Sequence, residues 1–112
     1  MNNKIDKYFQ ALVAAGASDL HLSEGQPPKI RVHGAVSALP GEPVLTGEAL
    51  AEMLEQICEP RGWKKYTKSG DLDFAYEMDE DSRFRCNYLK QSQGLAAVFR
   101  LIPTKIASLE QL

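Results

Sequence analysis

The chain of 112 residues is long enough for one domain with a modest core, and 44% hydrophobic and 25% charged residues are typical of a globular protein. Its net charge of −2, from 13 basic and 15 acidic residues, disfavours broad binding to nucleic-acid phosphates. No apolar run is long enough to predict a membrane span, and no secretory leader pattern opens the chain.

The first predicted element is an amphipathic helix, which needs a sheet to cover its apolar stripe. Its stripe consists of residues at helical spacing: Ile5, Tyr8, Phe9, Leu12 and Val13. Asn2 or Asn3 is expected to cap the start of this helix, and Gly16 is expected to end it.

Two alternating segments follow the first helix and predict strands. Residues 18–23 place Asp19 and His21 on one face and leucines on the other. The sequence from Glu24 to Pro28 predicts a turn. Residues 29–36 are expected to form one strand, in which Gly34 permits a bulge or a kink.

Two more helices are predicted in the middle of the chain. The apolar stripe of the second helix is Leu50, Met53, Leu54 and Ile57. Thr46 is its expected N-cap. Pro60 suits the first turn of a shorter third helix, which Ser69 and Gly70 stop.

Three neighbouring antiparallel strands are predicted between residues 71 and 103. The first strand covers residues 71–77 and leads through an acidic turn at 78–82 into the second. A tight turn at Ser92–Gln93 joins the second strand to the third. With the turns centred there, paired numbers sum to 160 in one hairpin and to 185 in the other, and both hairpins then have one apolar and one charged face.

This register places Arg85 directly opposite Arg100, while Glu77 faces Arg83 and has the charge to pair with it. Like charges in direct opposition cost a few tenths of a kcal/mol, up to about 1 kcal/mol. One interpretation is that Arg85 and Arg100 bind an anion that the chain itself lacks. The other is that both are solvated or neutralised by nearby acids.

Catalytic and metal motifs are missing from the sequence. No glycine is followed by lysine, so there is no phosphate-binding loop, and the chain by itself is not predicted to be an enzyme. His21 and His33 lie on separate segments without ligand spacing, which predicts no metal site. Cys58 and Cys86 fall on apolar faces and are interpreted as reduced core thiols of a cytoplasmic protein.

The last residues point beyond the chain. Ser108 to Gln111 fits a capping box, but the helix that it announces has only about four residues, and one turn alone is not stable. We therefore expect that residues 104–112 begin a linker or helix that leads into a further domain.

Four motifs together resemble one known family. They are Ala17–Ser23, Pro27–Gly34, Arg83–Asn87 and Gly94–Pro103. In this order and at these spacings they resemble the N-terminal domain of the type IV pilus retraction ATPases, the PilT group of the secretion-ATPase superfamily.

The resemblance implies an α+β, PAS-like domain over residues 1–103, with about three helices on an antiparallel sheet of about five strands. It implies that a RecA-like motor domain, which hydrolyses ATP with Mg²⁺, follows this domain. It also implies a cytoplasmic homohexamer that works with an inner-membrane protein of the pilus machine in twitching motility, without inserting into the membrane.

The resemblance further implies that arginines of this domain reach the nucleotide held by the motor domain. The matching positions are Arg85 and Arg100, with Arg83 less securely placed. A guanidinium suits phosphate oxygens geometrically and stays charged.

Three alternatives stay open on the sequence. A free-standing PAS-like sensor would need a closed apolar pocket. A pure scaffold would join subunits without meeting nucleotide, and would have Arg85 and Arg100 bound by Asp73 and Glu77. The same domain could also belong to a type II or type IV secretion ATPase.

Overall fold

The computed structural model describes residues 4–80, 82–92 and 94–102, which form three helices on one face of an antiparallel sheet. The helices are α1 (Asp6–Ala14), α2 (Gly47–Ile57) and α3 (Pro60–Ser69). The strands are β1 (Asp19–Ser23), β2 (Lys29–Val32), β3 (Ala35–Ala38), β4 (Asp71–Asp79), β5 (Ser82–Gln91) and β6 (Gly94–Ile102). Their order in the sheet is β3-β2-β1-β6-β5-β4, which confirms the α+β class but gives six strands, not five.

The additional strand comes from the segment 29–36, where the prediction of one strand was wrong. His33 and Gly34 have φ values of 50° and 84°, and Val32 pairs with Ala35 across them. Positive φ at both central residues defines the tight turn that best joins twisted antiparallel strands. The pair therefore ends β2 and reverses the chain into β3, where a bulge within one strand was expected.

The helix ends follow the expected chemistry in the part of the chain that is described. The hydroxyl of Thr46 accepts a hydrogen bond from the Ala49 N–H at 3.1 Å and caps α2. Pro60 opens α3, and Gly70, with a φ of 85°, ends it. Gly16, with a φ of 69°, follows the end of α1. The expected caps Asn2 and Asn3 lie outside the described residues.

Aromatic rings fill the space between the helices and the sheet. Phe9 of α1 stacks on Phe84 of β5 at 4.1 Å between ring centroids, and Tyr66 of α3 meets the edge of Tyr88 at 5.4 Å. The Tyr88 hydroxyl also donates to the carbonyl of Leu54 at 2.7 Å, so the core joins α2 to β5 by a buried hydrogen bond. These contacts leave the opposite face of the sheet uncovered by the helices.

Both predicted hairpin registers are confirmed, but the predicted turn at 78–82 was too long, because β4 continues to Asp79 with a register shift after Glu77 and β5 begins at Ser82. Arg85 pairs with Arg100 across β5 and β6, and Asp73 pairs with Asn87 across β4 and β5. Gln91 pairs with Gly94, as the predicted turn at 92–93 requires, although Gln93 lies outside the described residues. Asp81 of the predicted acidic turn, Pro103 and the capping box at 108–111 also lie outside them. Within the described ranges, no helix is long and apolar enough to cross a membrane.

Candidate functional site on the open face of the sheet

Charged side chains line up across the open face because residues paired between strands point to the same side. One such row runs through four of the strands. Its members are Arg31, Asp19, Arg100 and Arg85, in that order. We call it the arginine row.

Arg85 and Arg100 converge on one cleft of about 320 Å³. The residues that line this cleft are Asp73, Arg85, Asn87, Val98 and Arg100. The two arginine side chains are 69% and 71% exposed, so their guanidinium groups are accessible to a ligand that enters from solvent. The cleft thus presents two adjacent cations on a rigid antiparallel ladder.

Each of these arginines has a carboxylate nearby. Arg85 Nη2 lies 3.3 Å from Asp73 Oδ2, and Arg100 Nη2 lies 3.4 Å from Asp19 Oδ2. Asp73 is half-exposed, and an exposed ion pair of this kind contributes about 0 to 1 kcal/mol. Little free energy is therefore lost when Arg85 leaves Asp73 to bind a stronger anion.

Asp19 differs from Asp73 because its side chain is only 6% exposed. Burial alone would raise the pKa of the Asp19 carboxyl. The hydrogen bonds from Ser18 and Arg100, with the positive charge of Arg100, outweigh burial and lower this pKa below its usual value. Asp19 therefore stays ionised and fixes one side of Arg100, while the rest of that guanidinium remains open to solvent.

Arg83 lies on the same open face, but it is not among the residues that line the cleft. Glu77 faces it across the ladder as predicted. No ion pair between Arg83 and Glu77 is found among the described residues, so the pair expected from the register is not formed. The structure thus brings Arg85 and Arg100 together and leaves Arg83 further along the face.

Sequence reasoning missed the contributions of β1 and β2 to this face. Asp19 faces Arg100 because β1 pairs with β6, two strands that are far apart in sequence. His21 lies one row along from Asp19 and faces Val98 of the cleft. Its Nε2 is buried without a hydrogen-bond partner in the described part of the chain. The alternation of residues 18–23 correctly predicted that Asp19 and His21 share one face of the strand. No local pattern in the sequence predicted that β6 is the neighbouring strand.

Comparison with known proteins relates the chain to a family, although no family model matches it. The type IV pilus retraction ATPase PilT of Pseudomonas aeruginosa is 39% identical over 97 residues, which are 87% of this chain and 28% of the relative. The chain is a domain of the PilT type. The resemblance drawn from the four motifs is thereby confirmed.

Two further comparisons agree with this assignment. A twitching motility protein of Neisseria gonorrhoeae is 35% identical over 85 residues, which are 76% of this chain and 22% of that protein. A crystal structure of the pilus retraction motor PilT with bound ADP superposes with a TM-score of 0.86 at 26% identity. That superposition covers 97% of this chain and 32% of the motor, so the PilT-type domain spans less than a third of these relatives.

Proposed function

We propose that this PilT-type domain contacts the phosphates of a nucleotide held by a motor domain, through Arg85 and Arg100. The observation that carries the proposal is the direct opposition of these two exposed arginines in one cleft. Two guanidinium groups side by side repel each other in the empty domain, and a triphosphate between them replaces that repulsion with charge-assisted hydrogen bonds.

The domain acts, in this proposal, as part of a larger machine. Residues 1–103 form the PAS-like N-terminal domain, and residues 104–112 lead into a RecA-like motor domain that binds ATP and Mg²⁺. The intact protein is a cytoplasmic homohexamer that couples ATP hydrolysis to domain motion. It works with an inner-membrane protein of the pilus machine in pilus disassembly and twitching motility.

The contact between arginine and phosphate would serve catalysis by electrostatics. Charge develops on the oxygens of a phosphoryl group during transfer, and a positioned arginine that stabilises this charge can be worth several orders of magnitude in rate. Asp19 supports this role because it holds Arg100 from one side and leaves the guanidinium exposed.

The free-standing sensor has less support from the structure. Such a module needs an enclosed apolar pocket for its ligand, and in this fold the space between the sheet and its helices is where one would lie. Here that space is occupied by fully buried rings, among them Phe9, Phe84, Phe99, Tyr66 and Tyr88. The exposed cleft on the opposite face fits an anion better than an enclosed apolar ligand.

The pure scaffold is opposed by the exposure of both arginines. Arg85 contacts Asp73 but stays 69% exposed, and Glu77 binds neither arginine among the described residues. Since a surface pair is weak, the acid does not occupy the guanidinium permanently. This exposure favours a contact with nucleotide over a purely structural role.

The test is the rate of ATP hydrolysis by the intact parent protein. Arg85→Ala and Arg100→Ala are each expected to lower turnover by at least about tenfold, because each removes a charge from the phosphate contact. Arg83→Ala, outside the cleft, is expected to have a smaller effect. Lys68→Ala on α3, an exposed cation on the other side of the sheet, serves as the matched control. Turnover unchanged in both cleft variants would refute the proposal.

A further inference from the structure

A second cavity lies at the outer edge of the outermost strand β4, where Ala75 of its lining pairs with Arg85 of the arginine row. This groove has a volume of about 510 Å³ between the end of α2, the start of α3 and β4. Its lining is Ile57, Cys58, Glu59, Arg61, Gly62, Lys65, Leu72, Phe74 and Ala75. We call it the edge groove.

The edge groove reaches the free backbone of β4. Leu72 and Phe74 point to the helix side of the sheet and Ala75 points to the open face, yet all three line the groove. Neighbouring residues of both orientations can share one wall only where the strand backbone itself forms that wall. β4 pairs with β5 on one side and with no strand on the other among the described residues.

Charges differ on the two sides of this edge. Arg61 and Lys65 line the helix side, and neither makes an ion pair with any described residue, whereas Glu59 is the single acid of the lining. Asp71 and Asp73 are exposed on the open side of β4. An added strand would therefore meet cations on one side and acids on the other.

We propose that the outer edge of β4 binds an extended segment of a partner protein by strand addition. The backbone of this segment forms hydrogen bonds with β4, and its apolar or acidic side chains enter the edge groove. Its alternate, basic side chains lie beside Asp71 and beside Asp73, the aspartate that also pairs with Arg85. Main-chain hydrogen bonds supply the affinity of such contacts, and alternate side chains supply their specificity. A second copy of β4 fits poorly, because its own aspartates would oppose those of the first.

The probe is a short synthetic peptide that alternates lysine with valine and glutamate, added to the purified protein. Amide hydrogen exchange is expected to slow by about tenfold or more at alternate residues of Asp71–Asp79. Exchange is expected to stay unchanged in β3, which is the other edge of the same sheet. The peptide is also expected to slow alkylation of Cys58, which lies in the groove. A peptide of the same composition, with its charges out of alternation, is the control.

Charge reversal tests the partner's chemistry. Lys65→Glu is expected to weaken peptide binding by about fivefold to tenfold, whereas Lys64→Glu, on the same helix but outside the groove lining, is expected to leave it unchanged. Unchanged exchange in β4, equal binding of the control peptide, or dimerisation of the protein through β4 would each overturn the proposal. None of these readouts needs nucleotide or a substitution of Arg85 or Arg100, so a failed strand addition and a failed nucleotide contact are told apart, although Asp73 borders both sites.

Discussion

Arg85 and Arg100 show at the level of single residues how a proposed binding site can cost stability. Their opposition across β5 and β6 is unfavourable by a few tenths of a kcal/mol up to about 1 kcal/mol in the empty domain. Asp73 and Asp19 reduce that cost without burying either guanidinium. A ligand with several negative charges would compete well against such weak partners.

His21 gives a pH-dependent prediction. Burial lowers its pKa below the ordinary value of 6.5, the neighbouring Asp19 opposes this shift, and Arg31, Lys29 and Arg100 add to it. Below pH 6.5 the unfolded chain then binds a proton at this residue more readily than the folded chain does. Its contribution to stability is present above pH 6.5 and is lost as the pH falls through the lower, folded pKa.

The change that tests this is His21→Gln. Glutamine does not titrate. As the pH falls from 7 to 5, the variant is therefore expected to lose less of its free energy of unfolding than the unsubstituted chain. Urea unfolding at several pH values measures the difference. If the free energy of unfolding changed with pH equally in the unsubstituted chain and in the variant, His21 would have the same pKa in the folded and the unfolded chain.

The two thiols are expected to differ in reactivity. Cys86 is fully buried, and burial raises its pKa to about 12, so its reactive thiolate is almost absent at neutral pH. Burial and the charge of Glu55 also raise the pKa of Cys58, which is only half-buried. Alkylation followed by mass spectrometry should modify Cys58 alone in the folded chain, and faster at higher pH. Labelling of Cys86 at the same rate without denaturant would contradict this.

At the level of elements, local patterns predicted more than long-range pairing. The registers of β4 with β5 and of β5 with β6 could be predicted from the turns and from the shared apolar face. A slip of one residue would have turned the core side chains of a strand toward solvent. The turn between β2 and β3 was missed because it needs a positive φ at His33. Residues other than glycine adopt a positive φ only rarely, so the sequence did not indicate a turn there. The pairing of β1 with β6 could not be read from the sequence, since nothing local specifies a partner so far along the chain.

Glu24 joins three elements and offers a test of stability. Its Oε1 accepts a hydrogen bond from the Leu95 N–H at 3.0 Å, and its carboxylate also packs against Gly94 and Gly47. Gly94 has a φ of 125°, which strains any other residue, and a Cβ there would displace the Glu24 carboxylate from its hydrogen bond to the Leu95 N–H. Gly94→Ala is therefore expected to lower the free energy of unfolding by about 2 to 3 kcal/mol.

Two variants separate the causes of that loss. Gly41→Ala, at a φ of 77° with open space around it, is expected to cost only the backbone strain of about 1 kcal/mol. Gly94→Ala is expected to cost less in a Glu24→Ala background, where there is no carboxylate to displace from Leu95. Urea denaturation measures all three losses. Equal costs for Gly94→Ala in both backgrounds would mean that the contact with Glu24 contributes nothing.

At the level of the whole molecule, the two faces of the sheet differ in what they carry. The helices and aromatic rings on one face form the core, and the opposite face carries the charged side chains of the arginine row. Sequence motifs identified the family and two of the charged residues. Only the three-dimensional sheet order revealed the full arginine row and the buried Asp19 beside it.

The most direct test is a structure of the intact parent protein with a non-hydrolysable ATP analogue. We expect nitrogens of Arg85 and Arg100 to lie about 2.7 to 3.2 Å from phosphate oxygens, at hydrogen-bonding distance. Asp19 should still contact Arg100, and Arg85 should have moved away from Asp73. An analogue whose phosphates lie beyond hydrogen-bonding distance of both guanidinium groups, with Arg85 still on Asp73, would contradict the proposed contact.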